Sequence, residues 1–234
     1  MLRFFTEIHS DDSLWWFDIG LKNRINDNIE NLFDILKIHA GCSEAVIDRI
    51  SELSEMSISD HRDFRKASLY FVGIKESLNH QIMLKTHFLT RKCKNPDIIY
   101  KDIQYCDDYY LDFLRQRKIP LLTELIPYTQ AFLVQNGGHL WMVGADFLDN
   151  NIYKYKIYIK SRTSDFFVRL EALLSEMGNN RFLTENVHAI GQWAAVRDEL
   201  CMDGMAFAMD ASGNLSINLY FKLEGTDYGR VQRV

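Results

Sequence analysis

Residues 151–160 read NIYKYKIYIK, an alternation without a break. Successive side chains of a strand point to opposite faces. Lys154, Lys156, Tyr158 and Lys160 therefore share one face, and Tyr153, Tyr155, Ile157 and Ile159 the other. What constrains the fold most is that the pattern recurs. VGADFLDNNIYKYKIYIK (143–160) and DGMAFAMDASGNLSINLYFK (203–222) each read as a strand opened by glycine, a polar turn and a longer alternating strand. Aligned on their KIYIK and NLYFK tails, Lys156 matches Asn218, Tyr158 matches Tyr220 and Lys160 matches Lys222, each 62 residues apart. A third copy, SLYFVGIKESLNHQIMLKTHFLTRK (68–92), places Met83, Lys85, His87, Leu89 and Arg91 on one face of its second strand. LRFFTEIHSDDSLWWFDIGL (2–21) is a fourth, with HSDD as its turn.

The intervals between hairpins carry helical periodicity. Ile25, Ile29, Leu32, Phe33 and Leu36 form a stripe ending before Gly41, and Ser43 is an N-cap for EAVIDRISEL. Phe166, Leu170, Leu173, Leu174 and Met177 form a second stripe closed by Gly178; Leu183, Val187, Ile190 and Ala194 form a third. Between Tyr100 and Gln135 two helices are expected despite Pro120 and Pro127. Helices returning between hairpins must cover the apolar strand face bearing Ile157, Ile159, Leu219 and Phe221. Lys154, Lys156, Tyr158, Lys160, Asn218, Tyr220 and Lys222 are left on the other face. In an open sheet that face is solvated; in a closed barrel it lines a lumen.

The chain's 234 residues and 47% hydrophobic content suit one domain, residues 1–234, with one sizeable core. No apolar run approaches the roughly 20 residues of a membrane span, and MLRFFTEIHSDD lacks the pattern of a signal peptide. The expectation is a cytoplasmic protein without membrane association. Cys42, Cys93, Cys106 and Cys201 show no spacing for zinc or a disulfide scaffold. A formal net charge of −5 argues against general nucleic-acid binding, so any cationic site is local. Signatures of serine hydrolases, P-loops and dinucleotide folds are absent. DDYYLD (107–112) resembles the aspartate pairs that hold magnesium diphosphate, but reads better as a solvated acidic helix start. Trp141 alternates onto the apolar face.

Lysines beside tyrosines in a lumen offer positive potential, hydroxyl donors and ring faces. The ligand fitting them is a compact polyanion with a part that favours aromatic faces, such as an allylic diphosphate. The hairpins ending in INLYFKL and YKIYIK, separated by helix pairs, resemble the aromatic prenyltransferases of the ABBA type, as does the lysine-bearing LKTHFL. Cyanobactin peptide prenyltransferases show comparable strands. The resemblance covers residues 68–222 and implies an α+β fold: an antiparallel β-barrel of about 8–10 strands, built from ββαα units inside a ring of helices. That family's barrel has five such units, whereas four hairpins are counted here.

The implied function is transfer of an isoprenyl group from an allylic diphosphate to an aromatic small molecule or peptide side chain. The diphosphate-binding set is then Lys85, Lys156, Tyr158, Lys160, Asn218, Tyr220 and Lys222, with Arg3, His87 and Lys154 as further lumen residues. Asp146 and Glu7 are the candidates for the base that takes the acceptor's proton. No cofactor is required, while assistance by magnesium and a homodimer are left open. The alternative is a non-catalytic face of lysines and tyrosines that binds a small molecule, a partner protein or single-stranded RNA.

Overall fold

A computed structural model describes residues 2–5, 15–21, 34, 36–38, 41–55, 69–76, 82–89, 103–161, 165–178, 181–197 and 200–223. In chain order its elements are β1 (Leu2–Phe5), β2 (Trp15–Leu21), α1 (Glu44–Glu55), β3 (Leu69–Glu76), β4 (Ile82–Leu89), α2 (Ile103–Arg117), α3 (Pro120–Asn136), β5 (His139–Leu148), β6 (Asn151–Lys160), α4 (Phe166–Glu176), α5 (Arg181–Ala195), β7 (Leu200–Asp210) and β8 (Leu215–Leu223). The four expected hairpins are therefore present, with α2/α3 and α4/α5 as helix pairs between them. Ile25, Ile29, Leu32 and Phe33 of the first stripe lie outside the described residues, which include only its Leu36.

The strands form one antiparallel sheet in sequence order, each pairing with its neighbours in the chain. It is not closed. Among the described residues β8 pairs with β7 alone and β1 with β2 alone, so both are edges. A closed barrel needs a ladder between first and last strands, and β1, at four residues, offers little length for one. The fold is α+β with an open antiparallel sheet in place of the expected closed barrel.

Turn chemistry sets the register of the two C-terminal hairpins. Asp149 and Asn150, at φ 47° and 63°, make the two-residue turn between Leu148 and Asn151; this is the left-handed pair that matches the twist of a hairpin. Asn150 also accepts a hydrogen bond from the Ser43 backbone N–H at 2.8 Å, tying the turn to the start of α1. Between β7 and β8 the Asp210 carboxylate accepts from the backbone N–H groups of Ser212 and Asn214, both at 2.9 Å, and Gly213 supplies the φ of 80°.

The start of α1 and both ends of α3 have local causes. Ser43 caps α1 through its side chain, accepting from the Val46 N–H at 3.4 Å. Pro120 opens α3 where its missing N–H costs nothing, and Gly137, at φ 62°, ends it with its N–H on the Leu133 carbonyl. Proline thus separates two helices rather than spoiling one, and Pro127 is accommodated inside α3.

The helices cover the face foreseen for them. Ile157, Ile159, Leu219 and Phe221 join one core with Leu125, Ile126, Phe132, Phe166 and Leu170. Phe132 of α3 meets both Phe166 of α4 and Phe207 of β7 edge-on, at ring separations of 5.4 and 6.1 Å. Asp107 departs from its expected role. Because α2 begins at Ile103, Asp107 lies a turn inside the helix, is 4% exposed, and accepts the Leu140 N–H at 3.1 Å. It joins α2 to β5 where the strand begins.

Asp107→Ala leaves that buried N–H without its acceptor. The expected loss is about 1–3 kcal/mol in urea unfolding at unchanged m-value, with Asp107→Asn recovering part of it. An Ala variant as stable as the parent would show that the bond contributes nothing.

Candidate functional site

The sheet face turned away from the helices carries the polar file, and the register arranges it in rows. One row runs Lys85, Asp146, Lys154, Asp210 across β4 to β7, alternating in sign at every step. The next runs His87, Gly144, Lys156, Ala208, Ser216, and the third Met142, Tyr158, Ala206, Asn218. Opposite charges facing across strands stabilise the pairing.

Every lysine of β6 has an acidic neighbour. Lys156 Nζ lies 2.5 Å from Asp146 Oδ2, and Lys160 Nζ lies 3.4 Å from Asp203 Oδ2. Lys154 faces Asp210, whose carboxyl is held below the usual range: its slight burial acts the other way, but hydrogen bonds from Asn214 and Ser212 and the charge of Lys154 prevail. The file is therefore charge-paired, not the ring of uncompensated cations that sequence alone suggests.

At its centre the face is dry. Lys85 is 6% exposed and Lys156 and Asp146 are each 3% exposed, whereas Lys154, His87, Lys160, Asn218 and Tyr220 are half-buried. Burying a lone ion costs several kcal/mol, so the close Lys156–Asp146 contact is a requirement of this position. Burial by itself would raise the Asp146 carboxyl. The charges of Lys156 and Lys85, the hydrogen bond from Lys156 and the nearby His87 outweigh it and hold the group below its ordinary value of 3.8. Asp146 Oδ1 is buried and has no hydrogen-bond partner among the described residues.

Beside the ion pair lies an aromatic row. The Tyr158 hydroxyl and His87 Nε2 are 2.8 Å apart, and the Tyr158 ring sits 5.3 Å from that of His87 and 5.7 Å from that of Tyr220. His87 and Tyr158 belong to β4 and β6, so their bond arches over β5. Gly144 lies beneath it: a Cβ there would come within 3.1 Å of the Tyr158 ring and 3.4 Å of that of His87. Ala206 and Ala208 leave similar room on the β7 side. Trp141 also joins this face, packing with Met142, Tyr158 and Ala206 and receiving the Lys160 ammonium 4.2 Å from its ring centre. Strict alternation assigned it to the core, but an irregularity in pairing between Leu140 and Met142 turns it over.

The structure thus brings Lys85, His87, Asp146, Lys154, Lys156, Tyr158, Lys160, Asn218 and Tyr220 to one face. For Lys222 and Arg3 only the backbone is described, opposite Cys201 and Gly20 respectively, and Glu7 lies outside the described residues. Asp203, Asp210 and Met142 carry no sequence signal of their own: Asp210 and Met142 lie opposite β6 residues and Asp203 reaches Lys160, relations visible only once pairing is known. Among the described residues no group of three or more His, Cys, Asp or Glu is placed to hold a metal ion, and no helix is long and apolar enough to cross a membrane. No protein-family model and no curated protein matches the chain.

Removing one partner of the central pair strands the other charge. Asp146→Asn and Lys156→Met are each expected to cost about 3–5 kcal/mol, and the double variant clearly less than their sum. The depressed Asp146 carboxyl contributes stability that is full above its ordinary value of 3.8 and is lost as pH falls through its lower folded value. Acid unfolding of the parent should therefore show a limb below about pH 4 that the double variant lacks. Additive single-variant costs would remove the pair from this account.

Proposed function

We propose that the polar face of the sheet binds an allylic isoprenyl diphosphate and that the protein is a prenyltransferase acting on an aromatic small molecule or peptide side chain. The observation that carries this reading is the convergence of two buried lysines, Lys85 and Lys156, beside the His87–Tyr158–Tyr220 row. Lysines are seldom buried without a task. Here two of them adjoin hydroxyl donors and ring faces, the combination suited to an anion leaving a carbocation.

In the reaction the allylic carbon–oxygen bond breaks and the diphosphate departs with its electron pair, held by Lys85, Lys156 and the Tyr158 hydroxyl. The rings of Tyr158 and Tyr220 shield the cation. The acceptor's ring carbon supplies the electrons of the new bond, and its displaced proton passes to a carboxylate, for which Asp146 and Glu7 are the proposed candidates. The resemblance of the hairpins to the ABBA prenyltransferases supports the reading, as does the order of hairpins and helix pairs. Completion of the barrel belongs to this proposal and would require β1 and β8 to be joined by further structure or by a second copy. Magnesium, if used, would arrive with the diphosphate.

A second reading is favoured by one observation, the carboxylate beside each β6 lysine. A fully paired polar layer suits a non-catalytic protein that binds a small molecule or protein partner. Single-stranded RNA gains least support, because the formal net charge is −5 and each β6 lysine already has a carboxylate neighbour.

Calorimetric titration with geranyl thiodiphosphate, whose carbon–sulfur bond resists cleavage to the cation, separates the readings. Micromolar binding is expected, weakened about 10- to 100-fold in Lys85→Met, a change that leaves the Lys156–Asp146 pair intact. Absence of binding to the parent protein would end the prenyltransferase reading and favour the second.

A further inference from the structure

We infer that Asp146 is a built-in counter-ion of the anion site: its carboxylate holds Lys156, and an incoming diphosphate displaces it. The inference rests on the anion-binding reading above and names what selects among anions there.

Position is the first support. Asp146 lies directly opposite Lys85 on β4 and diagonally from Lys156 on β6, where it is bonded at 2.5 Å. One carboxylate is therefore bonded to one of the two buried ammonium groups that a diphosphate would use and feels the charge of the other. Its incomplete bonding is the second. Oδ2 is engaged, while the buried Oδ1 has no hydrogen-bond partner among the described residues. A buried ion pair kept for stability alone needs its remaining lone pairs satisfied, because the desolvation cost is otherwise uncompensated. A carboxylate that must yield to a ligand cannot be bonded on every side.

The third support is the small size of the cross-strand neighbours of Lys156. It is flanked by Gly144 and Ala208, which themselves add no bulk beside its four-carbon stem, while the Tyr158 and His87 rings lie over Gly144. Its ammonium can leave Asp146 for a ligand lying over Tyr158 while the stem stays seated. Charge then decides the contest. A carboxylate carries one negative charge, so a monoanion gains little by replacing it, whereas a diphosphate brings several charges spread over enough oxygens to reach both lysines. Asp146 thereby excludes small monoanions and admits polyanions. Once displaced, it has an oxygen ready for the acceptor's proton.

The test is calorimetric titration of inorganic diphosphate and inorganic phosphate into the parent and Asp146→Asn proteins. The variant is expected to bind diphosphate about tenfold or more tightly than the parent does, and to gain for phosphate as well, which narrows the discrimination between them. Diphosphate binding to the parent with equal or weaker binding to the variant overturns the counter-ion role and leaves the anion site standing. Binding to neither protein overturns both. Should Asp146→Asn not stay folded by itself, refolding with millimolar inorganic diphosphate becomes the measurement. Recovery of the native near-ultraviolet circular dichroism shows the anion taking the place of the carboxylate, and failure to recover overturns the inference.

Discussion

Two ammonium groups buried in one sheet face set the terms for much of the site. Water is withdrawn from Lys85 and Lys156, so an anion must be supplied within hydrogen-bond reach. Asp146 supplies it to Lys156 at 2.5 Å, and its place is fixed by a register that sets it opposite Lys85 and diagonal to Lys156. A slip of one residue in either ladder would turn the carboxylate to the helix side and leave the lysines facing apolar groups. The left-handed turn at Asp149 and Asn150, and its bond to Ser43 at the head of α1, therefore matter beyond the hairpin they close.

The two faces of the sheet make opposite demands on the same strands. Towards the helices, Tyr155, Ile157, Ile159, Met205 and Phe207 need bulk to fill the space against α3. On the other face, the long side chains of β6 need empty positions beside them. Gly144, Ala206 and Ala208 provide that room, and it allows Tyr158 to reach across β5 to His87. Alternation of large and small residues along β5 and β7 is a packing requirement of β6 as much as of the strands that carry it.

The sequence made the repeating elements legible because each is governed by local physics. Periodicity of two found the β6 file, Ser43 and Gly178 marked helix boundaries, and matching tails aligned β6 with β8. What depends on pairing stayed hidden. The carboxylates of Asp203 and Asp210 are distant in sequence from the lysines they face, so the file looked more cationic than it is. Trp141 was assigned to the wrong face because an irregularity in pairing is a property of two strands, and alternation along one cannot show it. Asp107 reads as solvated in the sequence because nothing in DDYYLD indicates that a backbone N–H from β5 waits for it.

The pairing also changes what a lysine file signifies. Uncompensated lysines would attract any anion, and specificity would have to come from shape. Lysines that already hold a carboxylate respond only to a ligand that replaces it with more than it supplies, so affinity depends on the difference between two anions. Under the proposed function this favours a diphosphate over the phosphate, carboxylate and chloride that surround it. On that proposal the aromatic row adds a second requirement, because a ligand would also have to place something beside Tyr158 and Tyr220 that gains from ring faces. Under the proposed function an anion with enough charge but no such group would meet only half of the site, and an isoprenyl diphosphate would meet both.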